Sequence, residues 1–142
     1  MSTRDIISLI ATIREKANRL IIQEMSIREM EGLAPSHGDI LSALFEYSSL
    51  TMKELAKKIN KDKSTVTALV NKLLNLGYIE RTRDLADSRI VYITLTEKGK
   101  NLKSDFKEIS DKLIERAYKD ISKNDQEVVI NILTKIENNF KK

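Results

Sequence analysis

The chain has no cysteine and no tryptophan, one proline, one histidine and four glycines in 142 residues. Without cysteine there is no disulfide framework, no thiol redox sensor and no zinc site built on thiolates. There is no Gly-rich phosphate loop and no GxSxG elbow. The acids are scattered among cations on helix faces instead of being set in pairs. Enzyme is therefore the class the sequence favours least, and neither a cofactor nor a metal is expected. No apolar run approaches the roughly 18–20 residues that a membrane-spanning helix needs. The opening "MSTRDIISLIATIREK" carries Asp5 and Arg14 and makes a poor signal peptide. The expected location is the cytoplasm, with no membrane partner.

What is present is a mixture suited to a folded chain: 41% hydrophobic and 32% charged residues. The net charge of +4 is unevenly spread. Residues 51–103 carry twelve lysines and arginines against six acids, a net +6, whereas residues 1–50 are −2 and residues 104–142 are neutral. A solvated surface accounts for such an excess, and so does a site for a polyanion.

Apolar spacing divides the chain into helices and one hairpin. Ile6, Leu9, Ile10, Ile13, Ala17, Leu20 and Ile21 predict a long amphipathic helix over about 3–30. "EGLAPSHGD", residues 31–39, holds the only proline and two of the glycines and reads as a loop. Ser36 and Asp39 read as a capping box for a helix over about 37–47. Thr51 and Glu54 do the same for a short helix over 52–59, with Leu55, Ala56 and Ile59 inward and Asn60 as its stop. Asp62 caps a helix that Gly77 ends in the left-handed conformation. "YIERTR" and "RIVYITL" then alternate around the turn "DLADS", the pattern of a β-hairpin. Thr96 caps a second long helix over about 97–120, and Ser122 with Asp125 boxes a last one bearing Val129, Ile132, Leu133, Ile136 and Phe140.

The helix over 62–76 has two unlike faces. Val66, Leu69, Val70 and Leu73 form the apolar one. Ser64, Ala68, Asn71 and Asn75, flanked by Thr65, Thr67 and Lys72, form the other. An ordinary solvated face would carry Glu and Lys, which favour helix. This one is small, neutral and rich in hydrogen-bonding groups. A protein interface accommodates such a face, but it would more often show large aliphatics or aromatics. The major groove of DNA admits one helix and offers donors and acceptors that Ser, Thr and Asn can meet. A short helix, a turn and this helix make a helix-turn-helix, and the hairpin adds a wing. On that reading Ser64, Thr65, Thr67 and Ala68 lie near bases, Asn71 reaches deeper, and Lys61, Lys63 and Lys72 hold phosphates. On the wing, Arg81, Arg83 and Arg89 reach the backbone or minor groove, with Asp84 and Asp87 shaping the turn and orienting them.

The run "STVTALVNKLLNLGYIERTRDLADSRIVYITLTEKG", residues 64–99, resembles the core of the MarR family of winged-helix regulators. The family pattern is met by Ser64, Thr65, Val66, Leu69, Val70, Leu73, Gly77, Ile79, Glu80, Arg81, Asp84, Asp87, Arg89, Leu95, Thr96 and Gly99. The flanking helices agree as well. The tip departs from it: Leu85, Ala86 and Ser88 stand where many relatives carry a basic or large polar residue. That leaves Arg83 or Arg89 to reach the minor groove.

The resemblance implies a mainly α fold with a small β-hairpin wing, in which a winged helix-turn-helix over about 37–96 is flanked by dimerisation helices over 3–30 and 97–141. All of this forms a single domain over 1–142. It implies a homodimer, and the apolar faces of three long end helices call for the same cover. Ile6, Ile10, Ile13, Leu113, Ile132 and Ile136 are the expected interface residues. A two-fold dimer calls for a pseudo-palindromic double-stranded operator, usually for repression. The resemblance also implies a small-molecule effector, often an aromatic or phenolic acid, in a crevice to which Arg14, Arg19 and His37 are candidates. The alternative is a winged helix that docks a protein or RNA. RNA readers usually present stacking aromatics, and only Tyr78 and Tyr92 lie nearby.

Overall fold

The computed structural model describes residues 1–30 and 32–141. Its element order is α1 (Ile6–Ile27), α2 (Pro35–Tyr47), β1 (Ser49–Leu50), α3 (Met52–Ile59), α4 (Lys63–Asn75), β2 (Ile79–Arg83), β3 (Val91–Leu95), α5 (Glu97–Lys100), α6 (Lys103–Ala117) and α7 (Lys123–Asn139). A 3₁₀ turn, Thr3–Asp5, precedes α1. The architecture is mainly helical, with a three-stranded antiparallel sheet in the order β1-β3-β2. The chain separates into two compact units, Met1–Ile109 and Ser110–Lys142.

Local chemistry sets most boundaries in the first unit. The Thr51 hydroxyl accepts from the Glu54 N–H while the Glu54 carboxylate accepts from the Thr51 N–H, closing the expected capping box. Asn60 ends α3 in the left-handed region at φ 54°, as its short polar side chain allows. The Asp62 carboxylate accepts from the Thr65 N–H at 2.7 Å and starts α4. Gly77 follows α4 at φ 82°.

Four expectations need correction. α2 begins at Pro35, not at about 37, and Ser36 is not its cap. Proline fits the first helical position because its missing N–H has no partner there anyway. Extended Ala34 flanks it, and the ring Nδ1 of His37 accepts the Ala34 N–H at 2.9 Å. The expected loop is correspondingly shorter, and its first residue, Glu31, lies outside the described residues. Next, α1 proper ends at Ile27, where Arg28 takes over as C-cap. The hairpin also gains a third strand, since Leu50 pairs with Ile93 and Ser49 with Thr94. The helix expected over 97–120 is divided. Leu102 donates to the Gly99 carbonyl three residues back, and α6 restarts at Lys103 and ends at Ala117.

The core of this unit is made by Ile40, Leu41 and Leu44 from α2, Leu55 from α3, Val66, Val70 and Leu73 from α4, and Ile79 and Ile93 from the sheet. Met25 of α1 and Phe106 and Ile109 of α6 close it. The inward face expected for α4 is thus met, with Leu69 half-buried. Arg28 adds a polar tie. Its guanidinium donates to the Glu24 carboxylate at 3.2 Å and to Glu108 at 3.1 Å, joining the end of α1 to α6.

In the second unit the Ser122 hydroxyl accepts from the Asp125 N–H and starts α7. α7 has no buried residue, and Val128, Val129, Ile130, Ile132 and Leu133 are each 38–52% exposed. A helix of this apolar content left uncovered in the single chain lacks the burial that usually stabilises helices in proteins.

One residue tests the joint between α4, the sheet and α5. A Cβ on Gly99 would lie 2.1 Å from the Tyr78 carbonyl oxygen, a backbone atom that cannot rotate away. Gly99→Ala is expected to cost at least about 1–3 kcal/mol, as overpacking does. A lowered urea midpoint with unchanged slope checks this.

Candidate nucleic-acid interface

The outer face of α4 is open. Ser64, Thr65, Thr67, Ala68, Asn71 and Lys72 are all exposed, while Val66, Val70 and Leu73 anchor the opposite side. Two of the hydroxyls are already engaged. Ser64 donates to the Asp62 carboxylate at 3.0 Å, and Thr67 donates to the Lys63 carbonyl at 2.8 Å. Each keeps acceptor capacity toward solvent. The Thr65 side chain is engaged with the Asp62 carboxyl, whereas that of Asn71 makes no hydrogen bond among the described residues. The amide of Asn71 thus presents a donor pair and an acceptor outward. Bonds from the Thr65 backbone N–H and from the Thr65 and Ser64 side chains hold the Asp62 carboxyl below the usual range, so the cap stays ionised.

The lysines divide. Lys61 and Lys63 lie at the start of α4. Lys72 turns back toward the α1–α2 loop, its Cε 3.5 Å from where a Cβ on Gly32 would sit. It is also close enough to His37 for its charge to depress that imidazole.

The end of α4 is tied to the sheet. Thr96 Oγ1 donates to the Gly77 carbonyl at 2.6 Å and accepts from the Gly99 N–H at 3.2 Å. Lys98 Nζ donates to the Leu76 carbonyl at 2.7 Å and sits 4.5 Å from the centre of the Tyr78 ring. A cation at a helix C-terminus opposes the negative end of the helix dipole.

On the wing, strand alternation puts Arg81 and Arg83 on the same sheet face as buried Ile79. The turn is internally braced. The Asp84 carboxylate accepts from the N–H groups of Ala86 and Asp87, and the Asp84 N–H donates to the Ile90 carbonyl. Arg83 Nη1 donates to the Ser88 carbonyl at 2.7 Å. Arg89 is held bidentate by Asp87, with Nε and Nη2 both at 3.0 Å. Asp87 thus orients Arg89 as expected, and the side-chain bonds from Arg89 hold the Asp87 carboxyl below its usual range. Asp84 instead bonds to the turn's backbone.

The three candidate effector residues are not brought together. Arg14 lines a cavity of about 390 Å³ with Asp39, Ser42, Glu46, Tyr47 and Lys58, and its guanidinium is 3.7 Å from Asp39. Burial pushes the Asp39 carboxyl up, against the charges of Arg14 and Lys61. Arg19 is bonded to Glu15 on the surface of α1. His37 is engaged at the start of α2. A larger cavity, about 600 Å³, is lined by Leu44, Phe45, Ser48, Thr94, Lys100 and Lys103, among others. The sequence reading did not single it out, because it forms only when β1 joins β3. Ser48 there sits at φ 65° and ψ −50°, outside the left-handed helical basin.

His37 gives a pH prediction. Burial first, and then the charge of Lys72, lower its pKa from the usual value near 6.5. The unfolded chain therefore takes up this proton first as pH falls. Stability is complete above about pH 6.5 and declines as pH drops toward the folded-state value. Protonation at Nδ1 would also remove the acceptor for Ala34. Urea unfolding at pH 7 and pH 5.5 should show a loss that His37→Gln diminishes.

The SarA/Rot transcriptional regulator family model matches residues 26–106. The HTH-type transcriptional regulator SarZ of Staphylococcus haemolyticus is 36% identical over 102 residues, which span 71% of this chain and 68% of that protein. A MarR transcriptional regulator from Methanosarcina mazei superposes with TM-score 0.81 at 25% identity, covering 96% of this chain and 97% of the other. A mutant MarR from E. coli, solved complexed with operator DNA, shares the fold at TM-score 0.80 and 20% identity, covering 96% and 99%. Bordetella bronchiseptica BpsR, whose DNA binding is regulated by 6-hydroxynicotinic acid, shares it at TM-score 0.80 and 17% identity, covering 94% and 98%. The chain is a winged helix-turn-helix transcriptional regulator of the MarR type and belongs to the SarA/Rot family.

Proposed function

We propose that the chain acts as a homodimeric repressor that reads a pseudo-palindromic DNA operator through α4 and grips the backbone through its wing. The observation that carries this reading is the exposed neutral face of α4, with the Asn71 amide free to bond, within a segment of net charge +6. Thr65, Ala68 and Asn71 meet base edges, and Asn71 suits a bidentate pair with adenine. Ser64 and Thr67 offer hydroxyl oxygens as acceptors. Lys61 and Lys63 engage phosphates, as do Arg81 and the N–H groups left over on Arg83 and Arg89. Lys72 reaches a phosphate only at the edge of the α1–α2 loop. Asp84 and Asp87 hold the wing in shape.

The dimer reading rests on uncovered apolar side chains. Ile6 and Ile10 are 37% exposed, Ile13 is 58% and Ile132 is 51%, while Leu113 and Ile136 are half-buried. We assign these six to the shared interface, with residues 3–30 and 97–141 as the dimerising part and 37–96 as the DNA-binding part of one domain. A small-molecule effector is part of the proposal, and relatives of this fold support it. The Arg14 cavity would take a carboxylate only in competition with Asp39. The larger cavity offers Lys100 and Lys103 beside Phe45 and suits an aromatic acid better.

Two binding outcomes follow. Arg89→Ala should weaken binding to all duplexes by a similar factor and reduce the salt slope by about one. Asn71→Ala should relax preference at particular base pairs and leave the slope unchanged. Fluorescence anisotropy at several salt concentrations separates the two, and a wild-type profile for both variants would refute the contact assignment. Separately, Ile13→Glu with Ile132→Glu should shift the protein from dimer to monomer in sedimentation velocity. A dimer that survives both would place the interface elsewhere.

A further inference from the structure

Leu85 lies in the turn that joins β2 and β3 and is fully exposed, at 106% of its reference area. It is the most exposed large apolar side chain among the described residues. A lone exposed leucine on an ordinary surface needs no explanation. The setting of this one is different. Its neighbours on the tip, Ala86 and Ser88, carry no charge, and the two arginines beside it are partly committed. Arg83 is bonded across the turn to the Ser88 carbonyl, and Arg89 is bidentate with Asp87. The Asp84 carboxylate takes two N–H groups of the tip. The turn is therefore braced by its own bonds, its cations are partly committed, and its most exposed large side chain is a hydrocarbon.

The reach of the hairpin says what that hydrocarbon meets. β2 leaves the end of α4 after three residues and runs for five. At about 3.4 Å per residue it extends roughly 17 Å. That is about half of the roughly 34 Å turn of DNA, the offset between a major groove and the adjacent minor groove. The minor groove, about 6 Å wide, admits a single side chain.

Resting on the DNA-binding reading above, we propose that Leu85 is a specificity-determining apolar contact to the minor groove flanking each half-site. An arginine tip is drawn to the strong negative potential of a narrow A-tract. A leucine gains nothing from that potential. It gains by leaving water, and it fits best where the base step opens easily. The wing therefore favours flexible TA or CA/TG steps over A-tracts, and its contact releases no counterion.

The test uses full-length protein and the duplex it selects from random sequence, with the flank rebuilt as a TA step or an A-tract. Leu85→Ala is expected to bind the TA-flanked duplex about tenfold or more weakly, with an unchanged salt slope. Leu85→Arg is expected to steepen the slope by about one and to reverse the flank preference. Because the side chain is fully exposed, neither variant threatens the fold. Wild-type affinity in Leu85→Ala, or no flank preference in the wild type, overturns the inference. If Asn71→Ala still relaxes base preference in that case, the recognition-helix reading stands and only the wing contact falls. A wild type that selects no sequence overturns both.

Discussion

The hydroxyl of Thr96 joins three elements at one point. It donates to the carbonyl of Gly77, where α4 has just ended, and accepts from the N–H of Gly99, where α5 begins. The Thr96 N–H closes the joint on the Tyr78 carbonyl at 3.1 Å. The glycine at 99 lets the first turn of α5 approach that same carbonyl more closely than any side chain allows. Lys98 adds its ammonium to the Leu76 carbonyl. These bonds fix the end of α4 to the strand that returns from the wing. Any reading of two grooves at once depends on that angle, because helix and hairpin would otherwise move independently.

Charge and shape are separated across the face so oriented. On the proposed reading the neutral groups of α4 meet base edges, and the cations sit at its start and on the hairpin. A hydrogen bond to a base edge discriminates, whereas a charge on a phosphate only holds. The negative cap at Asp62 belongs to the same division. It completes the first turn of α4 and accepts the hydrogen bond of the Ser64 hydroxyl, leaving that oxygen as an acceptor. The wing repeats the pattern with Asp87 and Arg89, where the acid fixes the guanidinium's orientation through two of its N–H groups.

What could be read from the sequence was what local chemistry decides. The box of Thr51 and Glu54, the cap at Asp62, the left-handed Asn60 and Gly77 and the inward Val66, Val70 and Leu73 each follow from a few neighbouring residues. The misses are of two kinds. At α2 a strong local signal, Ser36 with Asp39, lost to Pro35, whose fixed φ suits a helix start two residues earlier. The others are tertiary. Two residues are too few for β1 to show alternation, so only its pairing with β3 reveals it. The division between α5 and α6 follows from docking the first turn on Tyr78, and helical periodicity alone gives no warning of it. On the candidate site, residue types marked out the face of α4 and the arginines of the wing. They did not tell that Lys72 turns toward Gly32, or that Arg14, Arg19 and His37 point to different surroundings, because those outcomes depend on packing between distant segments.

The apolar surplus on α1 and α7 and the neutral face of α4 lead to one geometric demand. If the chain is the proposed dimer, two copies related by a two-fold axis present two α4 helices to successive major grooves on one side of a duplex. Selection of bound duplexes from a random library by the full-length protein tests this most directly. The account predicts enriched sites with inverted symmetry and half-sites about one helical turn apart. Enrichment of a single asymmetric half-site, or no enrichment over the starting library, would contradict it.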